Sequence, residues 1–401
     1  MTAAVFYGAH LLALDGAAGR GLAFALLTGA AFGLVLQRSR FCFFCVTRDF
    51  IERRDARGML AIVVALAVGT LGYHAVFGAF LPVPAPGRLP PGAHIGPVSW
   101  VLALGAFVFG IGMAISGSCI SAHFYRLGEG ATGSPIALLG AAAGFAVGFV
   151  SWNTLYELAI RDAPVLWLPQ HLGYGGTLLA QVGALAVIAA LLLRAHRTPL
   201  SAPDADRARN AADQTQEGGG QGGARVSGFW ATMFGTRWPA HTGGILVGLI
   251  AVLAYFRSGP LGVTAELGSL ARTAADATGW LPARLEGLDS FAGCATVVKQ
   301  AFYSNNGMFI AGLVLAALAS ALAAGDFRPQ RLRAGDAWRK FGGGLLMGWG
   351  AMVSLGCTVG VLLSGIMAGA VSGWVFAVFC LSGVWVTLRL RRAPVSAHGT
   401  R

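Results

Sequence analysis

Charge is what this 401-residue chain has least of: 11% of its residues are Asp, Glu, Lys or Arg, against 55% hydrophobic. A soluble domain carries about 25% charged residues, so the chain lacks the side chains to cover a surface facing water. The shortage is concentrated. Residues 58–80, 98–125, 130–156, 163–193, 306–325 and 341–388 hold no formal charge at all. About 20 apolar residues cross a bilayer as a helix, and the last of these runs has room for two crossings. An all-α polytopic membrane protein is therefore the expected fold class. Lysine is nearly missing, with 27 of the 29 basic residues being Arg. In a soluble chain a net charge of +12 would point to nucleic acid; here Arg collected in cytoplasmic loops accounts for it, and no nucleic-acid partner is expected. No A-x-A-like site follows the first apolar segment, Gly21–Leu36, so no short cleavable signal peptide is expected. The six cysteines show no zinc spacing, and nothing in the pattern asks for a metal or a cofactor.

About nine crossings are expected, at 20–37, 58–80, 98–117, 131–153, 172–193, 240–257, 306–325, 341–356 and 370–388. Basic residues fall on one side of this scheme. Segments 38–57, 194–238, 326–340, the tail from 389 and Arg126 hold 22 of them, and the opposite loops hold six. The positive-inside rule then puts the N-terminus outside and the C-terminus in the cytoplasm.

Segment 201–225, "SAPDADRARNAADQTQEGGGQGGAR", is polar and Gly-rich, the composition of a disordered linker. The expected organisation is a first membrane repeat over 1–193, a cytoplasmic linker over 194–238, a second membrane repeat over 239–390 and a cytoplasmic tail over 391–401. The halves resemble each other. "GAFVFGIGMAISGSC" (105–119) aligns without gaps on "GGLLMGWGAMVSLGC" (343–357), and "TGAAFGLVLQRS" (28–39) aligns more faintly on "VGLIAVLAYFRS" (247–258). Five crossings precede the linker, an odd number, so the second copy is inverted. Inverted-topology repeats are typical of secondary transporters, with substrate sites near the midplane at the repeat interface.

Both matched segments end in a cysteine just past a Gly-containing break. Irregular backbone at membrane depth is tolerated only where it is buried in protein or lines a cavity. "ISGSCIS" reads as a helix end, a break at Gly117, an N-cap at Ser118 and a new short helix from Cys119. "SLGCTVG" reads likewise, with a break at Gly356 and a helix running from Cys357 through Thr358. Each new helix offers free backbone N–H groups and the positive end of its dipole, an anion site with a thiol at its mouth. Cys42 follows "QRSRF", next to Arg38 and Arg40, cations that favour a thiolate or bind an anion. The second half has Leu261 at the place of Cys42. Cys45 completes a C-x-x-C spacing without the strand–helix setting of a redox motif. Cys380, in the middle of a span, reads as a small apolar residue, and Cys294 falls in an outer loop. His74, His123, Glu157 and Gln181 are polar side chains in or near spans that could line a path. His123 shares a helix face with Cys119, and Glu266 reads as a solvated loop carboxylate that could line an outer vestibule. Asn305 and Asn306 are expected to cap the helix near Gly307.

On "RSRFC" (38–42) with "RD" (48–49), "GIGMAISGSC" (110–119) and "GWGAMVSLGC" (348–357), the chain resembles the YeeE/YedE family of sulfur-transport membrane proteins, over nearly all of its length outside the linker and the tail. The resemblance implies thiosulfate uptake through the bacterial inner membrane, with Cys42, Cys119 and Cys357 as the functional cysteines. Their S–H groups would hydrogen-bond the passing anion without forming a covalent bond, and a cytoplasmic sulfurtransferase-type protein would receive the sulfur. Cys45 and the long linker depart from the thiosulfate members, so another sulfur or selenium species stays open as substrate. Two other readings are a membrane thiol oxidoreductase using Cys42 and Cys45, and a scaffold for a sulfur enzyme.

Overall fold

The computed structural model describes residues 2–85, 87–196, 236–279, 281–282, 284–288, 291, 296–299, 303–329 and 332–392. Most of the expected linker, Cys294 and the end of the tail lie outside these. The described chain is helical throughout, with three isolated β-bridges and no strand among the described residues. Its helices are α1 (Thr2–Ala13), α2 (Gly16–Ser39), α3 (Phe43–Arg53), α4 (Arg57–Phe80), α5 (Trp100–Ser116), α6 (Ile120–Gly128) and α7 (Gly133–Leu155). They continue with α8 (Leu168–Ala195), α9 (Ala240–Arg257), α10 (Val263–Ala277), α11 (Asn305–Ala324), α12 (Ala334–Val353), α13 (Thr358–Gly365, wound as a π-helix) and α14 (Val371–Arg392).

Eight helical segments are long and apolar enough to cross a membrane, and the pair α12 and α13, bent by 43°, makes a ninth. The chain is a multi-pass membrane protein. Each expected crossing coincides with one of these helices to within a few residues, because uncharged runs leave few alternatives once backbone groups must be satisfied internally. Three helices had no expected counterpart: α1, α3 and α10. The last two are short and carry polar residues along one side, a pattern that gives no span signal.

Packing follows a scheme of paired halves. α2 packs on α11 and α4 on α9; α7 packs on α12 and α14 on α5. Exchanging α2–α7 for α9–α14 turns each contact of these pairs into the other. α1 and α8 stand outside the scheme, and α8 packs on α4. At the centre α5 and α12 cross in opposite directions through their glycines. A methyl group at Gly112 would lie 2.6 Å from the Gly343 carbonyl oxygen, and one at Gly350 would lie 2.5 Å from the Gly105 carbonyl oxygen. Gly105 aligns on Gly343 and Gly112 on Gly350, so the two contacts are the same contact seen from either half. Around this pair, Gly144 of α7 sits so close to α12 that a methyl would fall 2.1 Å from the Leu345 carbonyl oxygen. Small residues spaced four apart allow such approach, and dispersion over the shared length then stabilises the pair.

Candidate functional site

α5 and α12 each stop early, and the chain restarts as a short buried helix. After Ser116, Gly117 turns left-handed (φ 82°), and Cys119 occupies the N-cap of α6 in extended conformation (φ −78°, ψ 168°). In the second half Leu355 (φ 59°) and Gly356 (φ 153°) make the turn, and Cys357 caps α13 (φ −129°, ψ −170°). The expected N-cap at Ser118 is thus corrected to Cys119. The left-handed turn consumes one residue, and two residues, Ser118 and Cys119, separate Gly117 from the start of α6 at Ile120. The counterpart of Gly117 is Leu355, with Gly356 at the place of Ser118. A leucine held left-handed is strained backbone of the kind that persists where surrounding structure imposes it.

The cap thiols lie over the first-turn amides of their own helices. Cys119 lies near the Ala122 N–H and Cys357 near those of Val359 and Gly360, and neither thiol makes a capping hydrogen bond. Ala122 and Gly360 stand at the same offset from their cysteines, so both halves build one arrangement. Beside each thiol is a buried hydroxyl with no hydrogen-bond partner among the described residues, Ser118 Oγ at the first break and Thr358 Oγ1 at the second. Both cysteines are 1% exposed.

The two breaks differ in what faces them. At the first, α2 ends at Arg40 in a left-handed conformation and Cys42 caps α3 in extended backbone. This turn brings Cys42 against both Cys119 and Cys45. Arg126, on α6, donates from Nη2 to Cys45 Sγ at 3.3 Å, and Ser121 Oγ lies 3.5 Å from Cys119 Sγ. At the second break Thr264 reaches Cys357. Extending the match of 28–39 with 247–258, Thr264 stands where the first half has Cys45, and Leu261 where it has Cys42. One break thus carries three thiols and a cation, the other one thiol among hydroxyls.

The cation at the thiols is therefore Arg126, which sequence reasoning had counted only as a loop charge. Arg38, expected beside Cys42, points elsewhere. It is buried, donates to the Thr236 carbonyl at 2.9 Å and pairs with Asp326 at 3.5 Å. Arg237 joins the same Asp326 at 3.1 Å, so Arg38 ties the ends of α2, α9 and α11 together. The reversal at Arg40 separates it from the thiol that follows.

His123 is buried with both ring nitrogens engaged, Nε2 at 3.3 Å from Ser116 Oγ and Nδ1 at 3.4 Å from Ser134 Oγ. It braces α5, α6 and α7. Lys340 of α12 donates to the Ser116 carbonyl and Arg391 of α14 to the Ala114 carbonyl at 2.9 Å, two cations on the C-terminal carbonyls of α5 where the helix dipole favours them. Glu266 is buried in the first turn of α10, paired with Lys299 and accepting from Ser304 Oγ at 2.6 Å. It is a structural ion pair. Ser304 also accepts from the Gly307 N–H at 3.0 Å; it caps α11 in place of the expected Asn305 and Asn306. A small cavity beside the second break is lined by His94, Ser354, Leu355 and Ser372. Burial pushes the His94 imidazole down to about 4.

Comparison with known proteins adds independent findings. A family profile described as "Sulphur transport" matches residues 38–386. The chain is 28% identical over 370 residues to a protein of Escherichia coli (strain K12) named thiosulfate transporter TsuA, covering 90% of this chain and 92% of that one. It is 28% identical over 374 residues to a Spirochaeta thermophila protein of the same name, covering 90% and 96%. A shorter similarity, 28% over 172 residues, reaches an Escherichia coli protein named probable transporter YedE, covering 43% and 40%.

Proposed function

This chain belongs to the sulphur transport family, and from that premise we propose that it carries thiosulfate, or a closely related sulfur anion, across the bacterial inner membrane. The observation that supports this most is the repeated break: a thiol capping a short helix, with a free hydroxyl beside it, in both halves. Thiosulfate carries two negative charges, and removing a bare anion from water is very costly. Helix N-termini offset that cost with oriented N–H groups. A thiol suits the terminal sulfur because it is a weak donor and polarisable.

We read α2–α7 and α9–α14 as two inverted-topology repeats, with the N-terminus outside and the C-terminus in the cytoplasm. The Cys357 break then faces the outer side, and the cluster of Cys42, Cys45 and Cys119 faces the inner side. Arg126 makes the inner station the stronger anion site. The path is then graded: weak, soft binding first, then a cation at the exit. Conduction needs stations weak enough to release the ion, and the Cys45 thiol shares the Arg126 guanidinium. A sulfurtransferase-type protein on the cytoplasmic face would take the sulfur onward.

The test is uptake of radiolabelled thiosulfate into liposomes holding the purified protein, with sulfite, selenite, sulfate and chloride as competitors. Uptake that thiosulfate alone suppresses supports the reading; no uptake above protein-free liposomes removes it. The contact between Cys42 and Cys45 also favours a second reading, a thiol oxidoreductase. That reading predicts a reversible Cys42–Cys45 disulfide, detected as a mass shift on alkylation after reduction.

A further inference from the structure

α8 has no counterpart in the paired halves, yet its inner face carries buried polar side chains. Its backbone is non-helical at Gly173 (φ 66°, ψ 174°). Beyond that kink, Tyr174 donates to the Leu81 carbonyl at 2.7 Å and packs edge-on against His74, with ring centroids 6.0 Å apart. Leu81 follows α4 and Tyr174 opens the straight part of α8, so the two helices run antiparallel. Thr177 and Gln181 lie one and two turns further along α8, which runs back along α4 past His74 toward Thr70. α13 and the turn after it close the third side. Gln181 donates to the Ile366 carbonyl at 2.7 Å, Thr177 packs on Gly369, and Tyr73 sits against Ser364.

Among the described residues, five buried atoms here have no hydrogen-bond partner: Thr70 Oγ1, Tyr73 Oη, His74 Nε2, Thr177 Oγ1 and Gln181 Oε1. Their residues are at most 6% exposed. The chemistry of the set is uneven. His74 Nδ1 lies 2.8 Å from the Thr70 carbonyl, and a carbonyl only accepts, so Nδ1 carries a proton. His74 Nε2 is then a lone-pair acceptor in the neutral ring. Gln181 has spent an amide N–H on Ile366 and offers its carbonyl oxygen. The site thus holds two acceptors and three hydroxyls, and no cation among the described residues. Buried polar groups are partnered in stable structures, and an ionisable residue inside a membrane protein marks a functional site by default. Here the His74 ring nitrogen and the Gln181 amide oxygen lack a donor.

On the thiosulfate reading, import has a second unmet requirement. Each negative charge entering a cell against a 100 mV inside-negative potential costs about 2.3 kcal/mol. Accumulating a dianion therefore requires a cation to travel with it. His123 has both ring nitrogens engaged, Lys299 and Arg38 are held in ion pairs, and Arg126 is committed to Cys45. His74 is a buried base with an open nitrogen.

We propose that His74, with Thr70, Thr177 and Gln181, forms a hydrated proton-binding site that couples thiosulfate entry to proton entry. The titratable groups facing it are the phenols of Tyr73 on α4, Tyr174 on α8 and, stacked on Tyr73, Tyr255 on α9. No carboxylate or basic side chain is among those contacts. A proton taken up on His74 Nε2 becomes a donor for the Gln181 carbonyl and the threonine hydroxyls. Through Tyr73 and Gln181 the site touches α13, the helix capped by Cys357.

The experiment uses the full chain in liposomes, with radiolabelled thiosulfate and an internal pH dye. Exchange between equal internal and external thiosulfate pools serves as the control for a folded transporter. In the wild type, an acid-outside gradient of one pH unit raises the thiosulfate accumulation ratio by up to about tenfold per coupled proton, and thiosulfate entry acidifies the interior. In His74→Gln, the response to the gradient and the internal acidification both disappear. His74→Asn carries the same test should His74→Gln fail the exchange control. Wild-type exchange that ignores the pH gradient overturns the proposal and leaves the thiosulfate reading standing. A full gradient response in either variant also overturns it. Wild type without any exchange overturns both.

Discussion

Arg126 Nη2 donates to Cys45 Sγ across 3.3 Å, which puts a guanidinium at the one break where three thiols meet. The pairing is absent from the other half, where Ser364 and Thr264 hold the corresponding positions. The two ends of the proposed path are therefore chemically unequal, and that inequality is open to measurement.

Replacing Arg126 by Gln removes the cation while keeping a hydrogen-bond donor. A hydrogen bond to a charged group contributes about 1.5–3 kcal/mol, so the KM for thiosulfate should rise on the order of tenfold or more. Arg126→Lys should restore part of the loss. Concentration-dependent uptake in liposomes checks both; an unchanged KM in Arg126→Gln would show that the cation has no part in binding.

The two breaks predict opposite effects of glycine. Gly117 is left-handed, and a methyl built there meets Lys340 Nζ at 3.5 Å, an ordinary contact without a clash. Gly117→Ala should therefore cost about 1–2 kcal/mol through backbone strain alone. Leu355 already bears that strain, at φ 59°, so Leu355→Gly recovers part of it, less the packing of the lost side chain. Thermal unfolding of the two variants in detergent should show a lowered midpoint for the first and a smaller change for the second.

At the centre, Gly112→Ala would place a methyl 2.6 Å from the Gly343 carbonyl and 2.7 Å from the Met347 nitrogen. Backbone cannot yield as a flexible side chain does, so α5 and α12 must separate, at a cost of about 1–3 kcal/mol. Gly350→Ala meets the same contact from the other half and should match it. Equal losses in folded yield and unfolding midpoint support the paired arrangement; a loss in one variant alone contradicts it.

Much of this architecture is legible in the sequence, and the reason is physical. Uncharged runs define spans because lipid leaves no other fate for them, and the gapless match of 105–119 with 343–357 identified the pair that meets at the centre. The breaks were legible through Gly117, Gly356 and their cysteines. What could not be read was which side chains turn toward the thiols. Arg38 is nearer than Arg126 to Cys42 in sequence, but the left-handed Arg40 reverses the chain between them, whereas α6 brings Arg126 round to Cys45. Glu266 looked like a solvated loop carboxylate because its partner Lys299 lies 33 residues away. The polar face of α8 was visible in Gln181, but its meeting with His74 depends on the kink at Gly173.

Lys299 and Glu266 are nearly buried, their side chains 10% and 9% exposed. Glu266→Leu strands a buried ammonium and should cost about 3–5 kcal/mol. Adding Lys299→Met should recover most of that stability, since a buried pair replaced by apolar groups is often neutral. Thermal unfolding of the single and double variants checks the sign; a double variant no more stable than the single one would show that the pair does not act as a unit.

His94 contributes to the acid limb of stability. Its folded value, about 4, lies below the ordinary 6.5, so between these values the unfolded chain binds the proton and the folded chain does not. Stability from this group is fully present above pH 6.5 and is lost as the pH falls toward about 4. The slope is about 1.4 kcal/mol per pH unit, or roughly 3 kcal/mol over the window. His94→Gln should flatten that limb, read as the unfolding midpoint at pH 4.5 relative to pH 7.5.

The central claim is that the two cap thiols mark stations for the anion. Its most direct test is thiosulfate exchange in liposomes by Cys119→Ala and Cys357→Ala, each shown to be folded by its unfolding midpoint. Severe loss of exchange in both variants is the predicted result; full exchange in either one contradicts the account.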